Sequence, residues 1–406
     1  MRALFIVTAY PREPGDVITP WMGETIRRLG KAGVEVEVLA PAYRGSGKQT
    51  LEGVKVHRFR YAPAPLETLT HDQPALDKIS GNPPYISLVP GYIAAGSVAA
   101  VRLARRNRYD IVHAFWPIPH GVFAIAAKRA GKAGMVSTFF SAELHWRGAT
   151  RAIMRPIIQR IVRESDAVTV ISSYTAGMLR SLVGETRSIV VPFGAAMDPP
   201  RVVRSRVRRP EDSFELIFVG RLVERKGVPV LLDAAALLRT DPRLKIRVLG
   251  DGPERAALER RAAQLKLAGR VRFEGMVSAE RLAGALRDCD ALVLPAIVTD
   301  KGETEGLGVV LIEAMQHGRL VIASRTGGIP DVVQDGVNGI LVSPGDSNAL
   351  AAAIRSAMDD PERAAQLAEA GREHAAREFS WSSIVERLRA VYDGVVKARR
   401  AAGVSD

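Results

Sequence analysis

With 406 residues, 47% hydrophobic and 25% charged, the chain has the make-up of an ordinary globular protein and is about twice the length at which one core usually divides. That excludes a largely disordered chain and predicts two domains, each able to bury its own core. The net charge of +13 sits mainly in residues 1–200, which hold 25 Lys and Arg against 15 Asp and Glu; this bias points to an anionic partner or, more blandly, to a solvated arginine-rich surface.

Apolar runs of strand length alternate with helical periodicities along the whole chain, the pattern of βα units around parallel sheets. In the first half the strands read as Ala3–Thr8, Val34–Leu39, Val54–Phe59, Ile111–Ala114, Met135–Thr138, Ala167–Ile171 and Ser188–Val191. The first of them starts within a few residues of Met1 and carries no secretory pattern, so a cytoplasmic protein is expected. No GxGxxG follows it, which argues against a nicotinamide-dependent dehydrogenase. Ile86–Val101 is weakly polar but interrupted by Pro90, Gly91 and Gly96, and is read as a buried helix rather than a membrane anchor.

Around Asp198 the pattern breaks. Pro199 and Pro200, followed by five arginines up to Arg209 and by Pro210, form a solvated linker, expected over 199–212. It separates a domain at 1–198 from one at 213–380. The second series of strands reads Leu216–Val219, Lys245–Leu249, Val271–Phe273, Ala291–Pro295, Leu320–Ala323 and Gly339–Val342. Cys289, at the entrance to one of them, has no second cysteine to pair with and is read as a small buried residue. A last helix over Trp381–Val396 keeps Ile384, Leu388, Val391 and Tyr392 at helical spacing, and the segment 381–406 is expected to pack back on a domain.

The second half carries the chemistry. Gly220–Gly227 places Arg221 and Lys226 between a strand and a helix, at the carboxyl end where open α/β sheets bind ligands. Arg221 offers a fork to phosphate oxygens and Lys226 a point charge. Gly250-Asp251-Gly252-Pro253 and Gly275-Met276-Val277 follow neighbouring strands and suit backbone contacts to a nucleotide base, so Gly250, Gly252 and Met276 are candidate donor contacts. Glu305-Gly306-Leu307-Gly308-Val309-Val310-Leu311-Ile312-Glu313 sets two carboxylates around a helix start whose free amides favour anions. Glu305 suits sugar hydroxyls. Glu313, in an otherwise apolar helix, needs a partner such as an arginine or a ribose diol. The alternative for this pair is a capping glutamate and an internal salt bridge.

Gly220–Gly227, Glu305–Glu313 and Ser324–Asp331, in this order and spacing, resemble the C-terminal half of glycosyltransferase family 4. The likeness is strongest over 214–346 and weaker over the first half and the terminal helices. It implies a GT-B fold, two Rossmann-like domains facing across a cleft, with closure hinged near Asp198–Pro210 and the start of the last helix. It also implies sugar transfer with retention from a UDP- or GDP-linked donor, without a cofactor or a bound metal. By resemblance Arg221 and Lys226 lie on the donor diphosphate, Glu305 on the sugar and Glu313 on the ribose. The amides beside Gly306, those of Leu307, Gly308 and Val309, face sugar and phosphate.

In the first half, Thr8–Asp16 resembles the family's glycine-containing loop, with Gly15 the candidate contact. His113–Gly121 resembles the acceptor-side segment, with Trp116 and His120 as candidates. At Thr138–Leu144 the chain departs from the family: Phe140-Ser141 stands where a His-Gly pair is usual, while Glu143 matches the acidic position and His145 is out of register. The expected acceptor is a lipid-linked or envelope glycan precursor at an anionic membrane face. A nucleotide-sugar epimerase of the same fold is the alternative. A nucleic-acid-binding protein is disfavoured, because aromatics are only 6% and no recognition motif is present.

Overall fold

The structure, a computed structural model, describes residues 1–13, 16, 18–70, 78–79, 82–146, 148–195, 199–200, 209 and 211–403. It divides into two units, one comprising Met1–Ile171, Thr175–Val191 and Trp381–Asp406, the other Ser172–Tyr174 and Pro192–Ser380. Most of the linker at 199–212, and with it the hinge placed near Asp198–Pro210, lies outside the described residues.

The first unit is built on eight strands: β1 (Arg2–Ile6), β2 (Glu35–Pro41), β3 (Gln49–Leu51), β4 (Val54–Phe59), β5 (Ile111–Phe115), β6 (Gly134–Phe139), β7 (Ala167–Val170) and β8 (Ile189–Val190). Their order is β3-β4-β2-β1-β5-β6-β7-β8, parallel throughout except for the β3–β4 pair. β3 was not expected, because three residues on a sheet edge carry no period to read. The connecting helices are α1 (Pro20–Lys31), α2 (Leu88–Arg106), α3 (Pro117–Gly131), α4 (Gly148–Glu164) and α5 (Ser173–Val183). Right-handed crossovers reverse direction at β1 and so cover both faces of the sheet. α2, α3 and α4 pack side by side in one layer, and α1 packs against the C-terminal helix, Trp381–Ala401.

α2 differs from the expected buried helix. It buries only the stripe Tyr92, Gly96, Ala100 and Ala104, at helical spacing, against its neighbours, and leaves Val98 47% exposed. Pro83–Arg106 is long and apolar enough to cross a membrane by length and composition; in this fold it packs on α3.

The C-terminal helix buries Trp381, Ile384, Val385, Leu388, Val391, Tyr392 and Val395. A polar thread runs through this contact: the Tyr392 hydroxyl is 2.6 Å from His113 Nδ1 and His113 Nε2 is 2.6 Å from Thr138 Oγ1. Thr138 in turn meets Thr169 at 2.5 Å. Burial holds the Tyr392 hydroxyl protonated, its pKa well above the usual value, so it donates to Nδ1 and leaves Nε2–H to donate onward. Each of the linked side chains, Tyr392, His113, Thr138 and Thr169, thereby finds a partner.

The second unit holds β9 (Phe214–Val219), β10 (Leu244–Leu249), β11 (Val271–Gly275), β12 (Ala291–Leu294), β13 (Leu320–Ser324) and β14 (Ile340–Val342). They form a parallel sheet in the order β11-β10-β9-β12-β13-β14. Its helices are α6 (Val228–Leu237), α7 (Arg255–Gln264), α8 (Ala279–Asp288), α9 (Val309–Gln316), α10 (Ile329–Val332), α11 (Ser347–Asp359) and α12 (Pro361–Glu378). Such a sheet is covered on both faces, which is why β12 and β13 read as unbroken apolar runs. Chain order reverses between β9 and β12, so the loops leaving these two strands diverge and open a crevice at their carboxyl ends. Cys289 is buried and its thiol is pushed up to about 12 by burial, which keeps it inert.

Candidate functional site

The loops after β9 and β12 bring together residues 80 apart in the chain. Glu305 Oε2 lies 2.6 Å from Lys226 Nζ and 3.0 Å from an Arg225 guanidinium nitrogen. Burial alone would push the Glu305 carboxyl up, but the two cations outweigh it and hold the group below its usual range. Glu305 is therefore ionised at neutral pH. The 3-10 turn Glu224–Lys226 aims both cations the same way, and the Ile297 amide donates to the Arg225 carbonyl at 3.0 Å, fixing one loop on the other.

Arg225 was not singled out by sequence reasoning, since a cation inside a basic run has no signature until the turn sets its direction. Arg221, which was, sits exposed on the same loop, and its guanidinium makes no hydrogen bond or ion pair among the described residues. Its fork remains open for an external anion.

Gly308 caps α9 with φ 85° and ψ 50°, a left-handed conformation that a side chain would oppose. No side chain caps this helix end, so the amides at Val309 and beyond face outward with the positive end of the helix. Leu307 is buried beside them. The loop before it is braced from the third motif: the Gly328 amide donates to the Glu305 carbonyl at 2.9 Å, and Thr304 meets Thr326 hydroxyl to hydroxyl at 3.1 Å. Gly306 takes part in the same bracing, its carbonyl oxygen 2.1 Å from where a Cβ on Gly328 would stand. Glu313 is buried on α9.

Gly250 and Gly252 each answer to a packing need. A Cβ on Gly250 would stand 1.9 Å from the Gly220 carbonyl oxygen, and one on Gly252 2.3 Å from that of Leu222. These glycines let the β10 loop press against the β9 loop that carries the cations. Met276, after edge strand β11, is 78% exposed.

In the first unit, Gly15 lies outside the described residues. Trp116, at φ 50°, precedes α3 and stacks on Phe140 at 4.4 Å and 20°, with Trp21 edge-on at 5.7 Å. Phe140 thus fills the place of the family's usual histidine with an aromatic shelf. Ser141, where the family has glycine, takes φ 81°, a conformation that costs a non-glycine residue about 1–3 kcal/mol.

His120 lies inside the first unit, not on its surface. It is 1% exposed, with Nε2 3.0 Å from the Tyr92 hydroxyl and Nδ1 3.0 Å from the carbonyls of Phe115 and Trp116. Its loop position suggested access; Tyr92, 28 residues earlier, closes over it. Glu143 is also buried. Its Oε1 accepts from the Phe140 amide at 2.9 Å, its Oε2 has no partner, and burial pushes the carboxyl up to about 7 despite that hydrogen bond.

Burial pushes His113 down to about 3 and His120 to about 4 from an ordinary 6.5. Both rings stay neutral in the fold while the unfolded chain protonates them below about 6.5, so their contribution is complete above that pH and declines as pH falls toward the folded values. The decline is about 1.4 kcal/mol per pH unit for each ring. Glu143, with its raised value, acts in the opposite sense as pH rises above the ordinary carboxyl range. The rings are isolated by difference: between about pH 6 and about pH 4.5, His113→Asn is expected to show a urea-unfolding free energy whose pH slope is shallower by one proton. Parallel slopes would disprove neutral burial.

Residues 202–374 match the family described as Glycosyl transferases group 1, and residues 21–198 match Glycosyltransferase Family 4. The GDP-mannose-dependent alpha-(1-6)-phosphatidylinositol monomannoside mannosyltransferase of Mycolicibacterium smegmatis is 32% identical over 292 residues, covering 70% of this chain and 76% of that protein. The D-inositol 3-phosphate glycosyltransferase of Salinispora tropica is 30% identical, over 93% and 80% of the two chains. Among solved structures, sucrose-phosphate synthase from Thermosynechococcus elongatus superposes with a TM-score of 0.75 at 22% identity, over 98% of this chain and 99% of that one; it shares the fold.

Proposed function

Because the chain belongs to the glycosyltransferases of group 1 and family 4, enzymes of GT-B fold, we propose that it moves a sugar with retention from a UDP- or GDP-linked donor to a lipid-linked or envelope glycan precursor. The observation that carries the reading is the grouping of Lys226 and Arg225 on Glu305 at the switch point of the second sheet. Lys226 and Arg221 take the donor diphosphate, the amides at the start of α9 add their dipoles, and Glu305 accepts hydrogen bonds from sugar hydroxyls. Glu313 takes the ribose, and Met276 borders the base.

Glu305, held ionised by two cations, is a weak base and a weak nucleophile; this favours orientation of the sugar over covalent attack. The bond from the anomeric carbon to the diphosphate breaks, the acceptor oxygen bonds to that carbon on the same face, and the acceptor proton passes to the departing phosphate oxygen. The charge that builds on the diphosphate is met by fixed cations and amides without a resident metal. Trp116 and Phe140 border the acceptor on the first unit, and the named activity of the Mycolicibacterium relative supports an acceptor that carries a phospholipid.

A thermal-shift and calorimetric screen against UDP, GDP, ADP and their sugar conjugates tests the reading. Selective stabilisation by one nucleotide sugar, weakened by Glu305→Ala when the sugar is present but not with the bare nucleotide, is the expected result. A chain that binds none of them is no transferase.

A further inference from the structure

The layer formed by α2, α3 and α4 combines two properties that an enclosed protein surface seldom has together. These helices carry nine cations, Arg102, Arg105 and Arg106 on α2, Lys128 and Arg129 on α3, and four arginines on α4, against one acid, Glu164. Glu164 takes Arg129 and Arg160, and Asp166 takes Lys128. The remaining six arginines have no carboxylate partner among the described residues.

Amid these charges lie exposed branched apolar side chains. Ile153 is 63% exposed, and Ile157 and Val122 are each more than a third exposed. On α4, Ile153, Pro156, Ile157, Arg160 and Arg163 fall on one arc of the helix. Between α4 and α3 runs a shallow, largely apolar groove lined by Val122, Ile125, Pro156, Ile157 and Ile161, with Arg160 its one charged residue. Single exposed isoleucines need no explanation, but a contiguous apolar strip rimmed by one sign of charge does.

We propose that this face docks on an anionic lipid surface, with Ile153, Ile157 and Val122 entering the acyl boundary and the arginines meeting headgroup phosphates. The inference rests on the reading of the acceptor as lipid-linked, to which it adds the surface that would bring the enzyme to it. Arginine stems are long enough to lie along the apolar strip while their guanidinia reach phosphate. Charge decides between occupants. A twofold contact with a second copy would set this cationic face against itself, whereas a membrane of anionic lipid complements all of it.

The test is flotation of the full chain with phosphatidylcholine vesicles, with and without phosphatidylglycerol, alongside calorimetric nucleotide binding and sedimentation velocity. The wild type is expected to float only with the anionic vesicles and to be released by salt. Arg155→Glu with Arg163→Glu, and separately Ile153→Asp with Ile157→Asp, are expected to lower the partition coefficient at least about tenfold while nucleotide affinity is unchanged. Indifference of the wild type to anionic vesicles, with nucleotide binding intact, overturns the docking face alone. So does a wild-type dimer that Ile153→Asp dissociates, which would make a second copy the occupant. Vesicle binding without nucleotide affinity upholds the face and overturns the transferase reading.

Discussion

Lys226→Ala is expected to lower turnover by about 10²–10³-fold, the cost of removing one preorganised charge from a developing anion. Lys226 is only 12% exposed on its side chain and touches Glu305 at 2.6 Å, so its position is set before any donor arrives and no reorganisation is needed during bond cleavage. Because charge on the departing diphosphate grows toward the transition state, kcat should fall more than nucleotide affinity does. The fold should survive, since Glu305 keeps its contact with Arg225 at 3.0 Å. Steady-state rates and calorimetric Kd on the same preparation separate the two effects. If both parameters move equally, Lys226 binds the ground state and does not act on the leaving group; unchanged turnover would remove it from the site.

The second large effect is on stability. A chain ended at Ser380 loses a helix that buries seven apolar or aromatic side chains on the first unit, each worth about 1.5–3 kcal/mol. The loss is on the order of 10–20 kcal/mol, comparable with or larger than the whole stability of an ordinary domain, about 5–15 kcal/mol. It also removes the Tyr392 hydroxyl that partners His113 Nδ1 and opens this ring, neutral because of its burial, to solvent. The truncated chain is expected to show its first unit cleaved by dilute protease while Pro192–Ser380 resists, read by mass spectrometry of the fragments. Equal resistance of both units would show that the helix is an accessory.

What could be read from the sequence follows from where the physics is local. The strands of the second unit are buried on both faces, so Ala291–Leu294 and Leu320–Ser324 announce themselves as apolar runs. Lys226 and Glu305 could be singled out because each stands beside a glycine just ahead of a helix. The pairing of Arg225 with Glu305 could not, because a 3-10 turn of three residues decides it. His120 looked accessible because it follows a strand in a segment that resembles the family's acceptor side; its burial depends on Tyr92, which no local window contains. The glycines at 250 and 252 were read as backbone contacts for a nucleotide base; their packing against backbone of the neighbouring loop carries no signature in a local window. Likewise the apolar stretch of α2 gave no sign of which side would stay uncovered.

The first unit is discontinuous in the chain: its sheet lies before Val191 and its covering helix begins at Trp381. On the ribosome, the strands emerge first and wait while the whole of the second unit is translated, which at about 5–20 residues per second takes on the order of ten to forty seconds. Throughout that interval the surface destined for Trp381, Leu388 and Tyr392 is naked, whereas the later-born unit already possesses every segment it needs. Nascent chains of this protein should therefore mature in reverse order of synthesis, and depend on chaperones for the half that was made first.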